Sequence, residues 1–346
     1  MIKVLIVDDS AFMRNTLSSM ISSDPEIQVA GIARDGAEAV EKVVSLKPDI
    51  VTLDVEMPRM DGIEALKQIM EKNPVPVLMV SSLTTEGANV TLDSLEIGAV
   101  DFIPKNLSDL SINIIKIKEI LIDKIKKIGT KGLVKGLRKS PSRPLKMPEQ
   151  AQYMPHRRVS IVAIGSSTGG PKALQHIISR IPKDFPVPIL IAQHMPPAFT
   201  GPFAERLNQL SSIEVKEAER GEPITKGVAY IAPGRGHMGI YRKKLTETAI
   251  TISEERGEYI YRPSVDVLML SAVESFSGNV LGVILTGLGN DGSKGMKEIK
   301  NKGGRTIAES EETCVVYGMP RAVAEAGTAD KIVPLDEIAG EIINSV

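Results

Sequence analysis

The chain has 346 residues, enough for two domains that each bury a core. Lys and Arg (42) balance Asp and Glu (43), so no overall field recruits nucleic acid or an anionic membrane surface. A single cysteine, Cys314, excludes an internal disulfide and a Cys-rich zinc site, and no apolar run approaches the roughly 20 residues that span a bilayer. The opening "MIKVLIVDDS" reads as a strand rather than a signal peptide, and the cytoplasm is the expected location.

Residues 1–122 alternate short β-branched runs ("KVLIV", "IQVAGIA", "DIVTL", "VPVLMV", "VDFI") with helical patterns. Five such strand–helix units predict an α/β domain, (βα)5, with an open parallel sheet whose crevice lies at the carboxyl ends of the strands. Residues 123–157 read as a basic, Pro-containing interdomain linker. Between Lys116 and Lys146 eleven Lys or Arg face only Glu119 and Asp123, a pattern that mostly marks a solvated helix end and tether.

Residues 158–346 open a second strand series: "VSIVAIG", "VPILIAQ", "GVAYIAP", "ETAITIS", "NVLGVILTG", "GRTIAES" and "KIVPL". Helical patterns follow several of them. The stretch from about 228 to 262 alternates strands with glycine turns and predicts antiparallel hairpin material on a doubly wound parallel α/β domain.

In the first domain Asp8 and Asp9 end one strand and Asp54 another, so three carboxylates converge on one crevice. Such a group is held together by a hard cation, and oxygen ligands with open water positions suit Mg²⁺. Ser81 and Lys105 end two further strands and complete a site for a phosphoryl group. "LIVDDS", "LDVEMPRMDG", "MVSS" and "DFIPK" resemble the receiver domain of bacterial response regulators. The resemblance implies Asp54 as phospho-acceptor, with Asp9, Asp54 and the Glu56 carbonyl as Mg²⁺ ligands and Asp8 acting through water. Ser81 and Lys105 then bind the phosphoryl oxygens, and Phe102 takes the place of the aromatic switch residue. Asn106 departs from the Pro that follows the lysine in many receivers.

In the second domain the stretch Gly165-Ser166-Ser167-Thr168-Gly169-Gly170 lies between a strand and a helix start. It suits either a phosphate held on backbone N–H groups or a nucleophile turn. The glycines do not fit G-x-G-x-x-G, no P-loop lysine follows, and the next strand ends in His194 rather than an acid. G-x-S-x-G is satisfied with Ser167 at its centre, and the helix-start N–H groups then serve an oxyanion. His194, in "IAQHMPP", supplies the base, and Asp291, in "TGLGNDGSKGM", the orienting carboxylate. The order Ser–His–Asp differs from that of an α/β-hydrolase.

Each residue also has a plainer reading. Asp291 suits a helix cap, His176 a packing role and His156 the tether. His237, in "APGRGHMGI", competes with His194 as base but belongs to the hairpin region. Cys314 reads as a buried thiol.

"IGSSTGGP", "IAQHMPP", "APGRGHM", "ILTGLGNDGSKGM" and "CVVYGMPRAV" together resemble the chemotaxis protein-glutamate methylesterase family, CheB. The resemblance implies Ser167 as nucleophile, His194 as general base and then acid, and Asp291 as orienting carboxylate. Thr168 and Leu288 are the oxyanion and turn residues, Leu288 standing where the family commonly has Met. The implied substrate is a γ-glutamyl methyl ester on a chemoreceptor. A chemotaxis histidine kinase is the phospho-donor, and the unphosphorylated receiver inhibits. Deamidation of receptor glutamines is a second implied activity, and hydrolysis needs no cofactor. Neither nucleic acid nor membrane insertion is expected. The competing class is a response regulator whose output domain only binds a partner or DNA. A nicotinamide-dependent oxidoreductase lacks its fingerprint.

Overall fold

Val4, Leu5, Ile6 and Val7 are fully buried in succession, because a central strand of a parallel sheet is covered by helices on both faces. The computed structural model describes residues 1–82, 84–105, 114–130, 158–244, 247–255, 257, 259 and 261–346. Asn106 lies outside them, as do His156 and residues 131–157 of the expected linker. The chain divides into two compact units, Met1–Lys135 and Gly136–Val346.

The first unit runs β1 (Ile2–Val7), α1 (Ala11–Ile21), β2 (Ile27–Ala33), α2 (Gly36–Leu46), β3 (Ile50–Asp54), α3 (Gly62–Lys72), β4 (Val77–Ser81), α4 (Thr85–Ile97), β5 (Asp101–Pro104) and α5 (Ile114–Thr130). Its five strands are parallel in the order β2-β1-β3-β4-β5, so the order reverses between β1 and β3. Ser10, Asp35, Asp61 and Thr84 cap α1 to α4, each side chain accepting the N–H three residues on.

Helix α5 continues past residue 122 to Thr130, and Leu121, Ile125 and Ile128 are fully buried, a stripe at helical spacing. Part of the basic run therefore belongs to the receiver: Lys124 Nζ lies 2.5 Å from Asp101 Oδ2 and 3.1 Å from the Phe102 carbonyl.

The second unit runs β6 (Ile161–Ser166), α6 (Gly170–Ile178), β7 (Ile189–Gln193), α7 (Pro197–Leu210), β8 (Glu214–Glu217), β9 (Val228–Ile231), β10 (His237–Lys244), β11 (Glu247–Ser253), α8 (Val265–Phe276), β12 (Val280–Ile284), α9 (Ser293–Asn301), β13 (Arg305–Glu309), α10 (Met319–Glu325), β14 (Lys331–Val333) and α11 (Leu335–Ile343). Seven parallel strands are ordered β14-β13-β12-β6-β7-β9-β8. Only β10 and β11 pair antiparallel among the described strands. β9, expected with the hairpin material, is instead a parallel strand between β7 and β8. β6 sits between β12 and β7, and the strand order reverses at β6 and β12, where a doubly wound sheet opens its crevice. No helix among the described residues is long and apolar enough to cross a membrane.

Candidate active site

Each unit places its chemistry at its own switch point. In the first, one ligand oxygen from each of Asp8, Asp9 and Asp54 lies within 4.8 Å of the others. Asp8 and Asp54 are buried, whereas Asp9 is exposed. Lys105 Nζ stands 2.5 Å from Asp54 Oδ2 and 3.4 Å from Asp8 Oδ2. Burial lifts Asp54 to about 6 despite Lys105, and the neighbouring charge of Asp8 adds to the rise. Burial works against the Lys105 charge as well, but Asp54 and Asp8 more than offset it and raise its pKa. Asp8 Oδ2 is a buried acceptor without a hydrogen bond, faced by the Lys105 ammonium at 3.4 Å. Three hard carboxylate oxygens, two of them on buried residues, fit Mg²⁺.

The remaining receiver residues are placed as follows. Glu56 is exposed just beyond β3 and its N–H donates to Asp54 Oδ1 at 3.2 Å. Ser81 is fully buried and its hydroxyl accepts from Thr91 Oγ1 at 2.6 Å, a bond to α4 rather than to Asp54. Phe102 is buried on β5.

In the second unit β6 runs into the turn that ends at Gly169, whose φ of +77° a side chain would strain. Adjacent serines leave a strand on opposite sides. Ser166 is fully buried and donates to Gln193 Oε1 at 2.7 Å, whereas Ser167 retains some exposure. Gln193 Nε2 donates to the carbonyls of Ser167 (2.9 Å) and His194 (3.0 Å), tying the two strand ends together. The His194 N–H donates to the Ser166 carbonyl at 3.0 Å.

His194 Nε2 lies 2.8 Å from Asp291 Oδ2, and both side chains are nearly buried. The other ring nitrogen, Nδ1, is buried without a hydrogen-bond partner. With Nε2–H donated to the carboxylate, Nδ1 is the basic atom. Asp291 is gripped further by Ser264 Oγ and by the N–H groups of Val265, Asp266 and Gly292, at 2.7–3.0 Å. Val265 and Asp266 open α8, so the carboxylate sits at a helix N-terminus. Burial opposes its charge, but His194 and these donors prevail and hold its pKa below the usual range.

His237 does not reach this carboxylate by a hydrogen bond. Its Nδ1 accepts the Ser264 N–H at 3.1 Å, which fixes it as the Nε2–H tautomer. Burial and then the Arg262 charge lower its pKa. His176 pairs with Asp336 at 2.9 Å, between α6 and α11. Cys314 is buried.

The Ser167 N–H donates to the Thr286 carbonyl at 3.1 Å, and Thr286 Oγ1 donates to the Thr168 carbonyl at 2.9 Å. Thr168 Oγ1, next to Ser167 in the chain, is buried with no hydrogen-bond partner. A Cβ on Gly287 would stand 2.9 Å from the Ser167 Cβ, so only glycine allows this approach. Leu288 follows, buried, on a loop whose Gly287 carbonyl accepts from Gly318 (3.1 Å) and Met319 (2.9 Å). The "CVVYGMP" segment thus holds that loop in place.

Sequence reasoning missed Gln193, Ser264 and Glu309. The last is a fully buried carboxylate accepting the Thr286 N–H at 2.8 Å. Gln193 stood beside a singled-out histidine and Ser264 at a helix start, so each left a faint signal; Glu309 left none.

The G-x-S-x-G turn, a strand-end histidine and a helix-held aspartate stand together at one sheet edge of the second unit. The model of the CheB methylesterase family matches residues 162–342, more than half of the chain, and that of the response regulator receiver domain matches 4–114. The chain belongs to the CheB methylesterase family.

The CheB relatives bear this out along the whole length. A protein-glutamate methylesterase/protein-glutamine glutaminase of Nitratidesulfovibrio vulgaris is 49% identical over all of both chains. One of Pyrococcus horikoshii is 46% identical over all of this chain and 94% of its own. The crystal structure of the Thermotoga maritima CheB methylesterase catalytic domain matches with a TM-score of 0.53 and 44% identity, covering 55% of this chain and all of its own. A CheB output domain is an esterase, and the binding-only alternative is not favoured.

Proposed function

We propose that the chain hydrolyses γ-glutamyl methyl esters on chemoreceptors through Ser167, His194 and Asp291, under control of phosphorylation at Asp54. The observation that carries this reading is the Asp291–His194 hydrogen bond at Nε2, which leaves Nδ1 buried and unpartnered at the strand end next to the Ser167 turn.

Ser167 Oγ attacks the ester carbonyl carbon while its proton passes to His194 Nδ1, forming imidazolium beside the Asp291 carboxylate. Charge gathers on the former carbonyl oxygen, and N–H groups of the Thr168 turn and the Leu288 loop stabilise it. A backbone donor makes Leu in place of Met acceptable. The C–O bond to the methoxy group then breaks, and His194 Nδ1–H protonates the leaving oxygen to give methanol. Water attacks the acyl-enzyme with His194 again as base. The Ser167 Oγ–C bond breaks, the proton returns to Ser167, and the glutamate carboxyl is released. The same cycle opens a glutamine amide when His194 protonates the leaving ammonia, in line with the double name its relatives carry.

In the receiver, Asp54 takes a phosphoryl group from a phosphohistidine of the chemotaxis kinase; the P–N bond breaks, an Asp54 O–P bond forms, and the imidazole takes up a proton. Asp9, Asp54 and the Glu56 carbonyl would hold Mg²⁺, with Asp8 acting through water. Bound there, the ion would neutralise charge on the transferring group. Lys105 binds a phosphoryl oxygen, and Ser81 leaves Thr91 to bind another, with Phe102 following as the switch. The unphosphorylated receiver inhibits the esterase.

Ser167→Ala tests the reading. Methanol release from methylated receptor should fall by at least about 10³-fold, with fold and Asp54 phosphorylation intact. Retained activity would remove Ser167 as nucleophile.

A further inference from the structure

Tyr261 lies outside the residues assigned above, on the connection from β11 to α8. Its ring stacks on the His194 imidazole, with centroids 4.3 Å apart and planes 11° from parallel. The near-parallel planes put the two rings in direct face-to-face contact. Asp291 already holds His194 by an in-plane hydrogen bond at Nε2. That bond fixes one atom but leaves the imidazole able to swing about it, whereas contact on the ring face removes the swing. The tyrosine is itself placed against the loop beyond Leu288: a Cβ on Gly289, at φ +79°, would stand 3.1 Å from Tyr261 Oη.

We propose that Tyr261 is a positioning residue for His194, its ring face keeping Nδ1 in line for the Ser167 proton and stabilising the imidazolium that results. The inference rests on the esterase reading above. An aromatic face attracts a cation placed within about 6 Å of its centroid far more than a neutral ring. As general base His194 gains a positive charge when it takes the serine proton, so the contact strengthens toward the transition state and acts on kcat rather than on substrate binding.

The test uses the full-length chain, which has only four histidines, so a histidine-labelled sample gives a tractable NMR spectrum. The His194 ring protons, identified by their loss in His194→Gln, should lie upfield under the Tyr261 ring current. Tyr261→Leu should move them downfield and lower kcat about tenfold, with KM changed by less than about twofold, as expected for a lost cation–π contact worth about 1.4 kcal/mol. Tyr261→Phe keeps the face and should restore both the upfield resonance and most of kcat.

Unchanged kcat or an unchanged His194 resonance in Tyr261→Leu overturns the proposal. So does a Tyr261→Phe protein as impaired as Tyr261→Leu, which would assign the effect to the hydroxyl. Ser167→Ala separates the two levels. If it is inactive while Tyr261→Leu is unimpaired, only the stacking inference fails; if it is active, the esterase reading fails first.

Discussion

The two sheet-edge crevices of this chain have the same architecture and opposite electrostatics. Both lie where a parallel strand order reverses, and both are built around a buried aspartate. Asp291 is met by the opening N–H groups of α8, the Ser264 hydroxyl and His194, and it stays ionised below the usual range in spite of burial. Asp54 has the Glu56 N–H and the Lys105 ammonium, faces the Asp8 carboxylate, and burial lifts it to about 6. Amide donors at a helix N-terminus substitute for water around a charge that has only to persist. Asp54, the proposed phospho-acceptor, has fewer donors and a second buried carboxylate beside it, and the proposed Mg²⁺ would supply the positive charge that the crevice lacks.

The largest break in this comparison is Asp291→Asn. The carboxamide keeps the shape but removes the anion that faces the imidazolium and turns an NH₂ toward donors that need an acceptor. A loss of about 10⁴-fold in kcat is expected, with much less effect on KM. Methanol release under saturating receptor measures it, and a drop below about tenfold would show that helix-held charge is dispensable here.

Asp54→Asn strikes the other crevice. It should abolish labelling by a phosphodonor in Mg²⁺ and with it the rise in esterase rate that the donor causes in the intact chain. Labelling that persists would move the acceptor to Asp8 or Asp9. A phosphorylated protein whose rate does not respond would break the link between the two units.

Much of this was legible because strand ends are legible. Asp8, Asp9, Asp54 and Lys105 each follow a β-branched run, and in a parallel sheet such positions share an edge. G-x-S-x-G points to Ser167 over Ser166, and in the structure the Ser166 hydroxyl donates to Gln193. What stayed hidden depends on distant packing. The α8 sequence "VDVLMLSAVESF" is buried over most of its surface and so lacks the one-sided stripe that marks a helix. Its N-terminus was therefore not seen as the Asp291 anchor. β8 is a short, mostly polar edge strand with little β-branched signal. Helix α5 did carry a signal, Leu121, Ile125 and Ile128, but the lysines between them read as tether. Tyr261 shows its importance only as a ring on a ring, a contact made by tertiary packing and invisible to spacing.

The smallest effect is the most direct test of the opposite electrostatics, because the two aspartates should shift stability with pH in opposite directions. Asp291 has a depressed folded pKa, so its contribution is present above the unfolded value and is lost as pH falls through the folded one. Asp54 is raised from an ordinary 3.8 to about 6, so the folded state holds its proton more tightly than the unfolded chain. That group costs nothing below the unfolded value, and its full penalty applies above about 6. In metal-free buffer Asp54→Asn should therefore raise the receiver's unfolding midpoint by a few degrees near pH 7.5 and by less near pH 5. Asp291→Asn should lower the midpoint of the catalytic unit at both, with the deficit closing only below about pH 4. Thermal unfolding of the two variants and the parent across this range checks the signs. An Asp54→Asn gain that stays constant with pH would mean that burial does not lift Asp54 to about 6, and the contrast between the two crevices would rest on geometry alone.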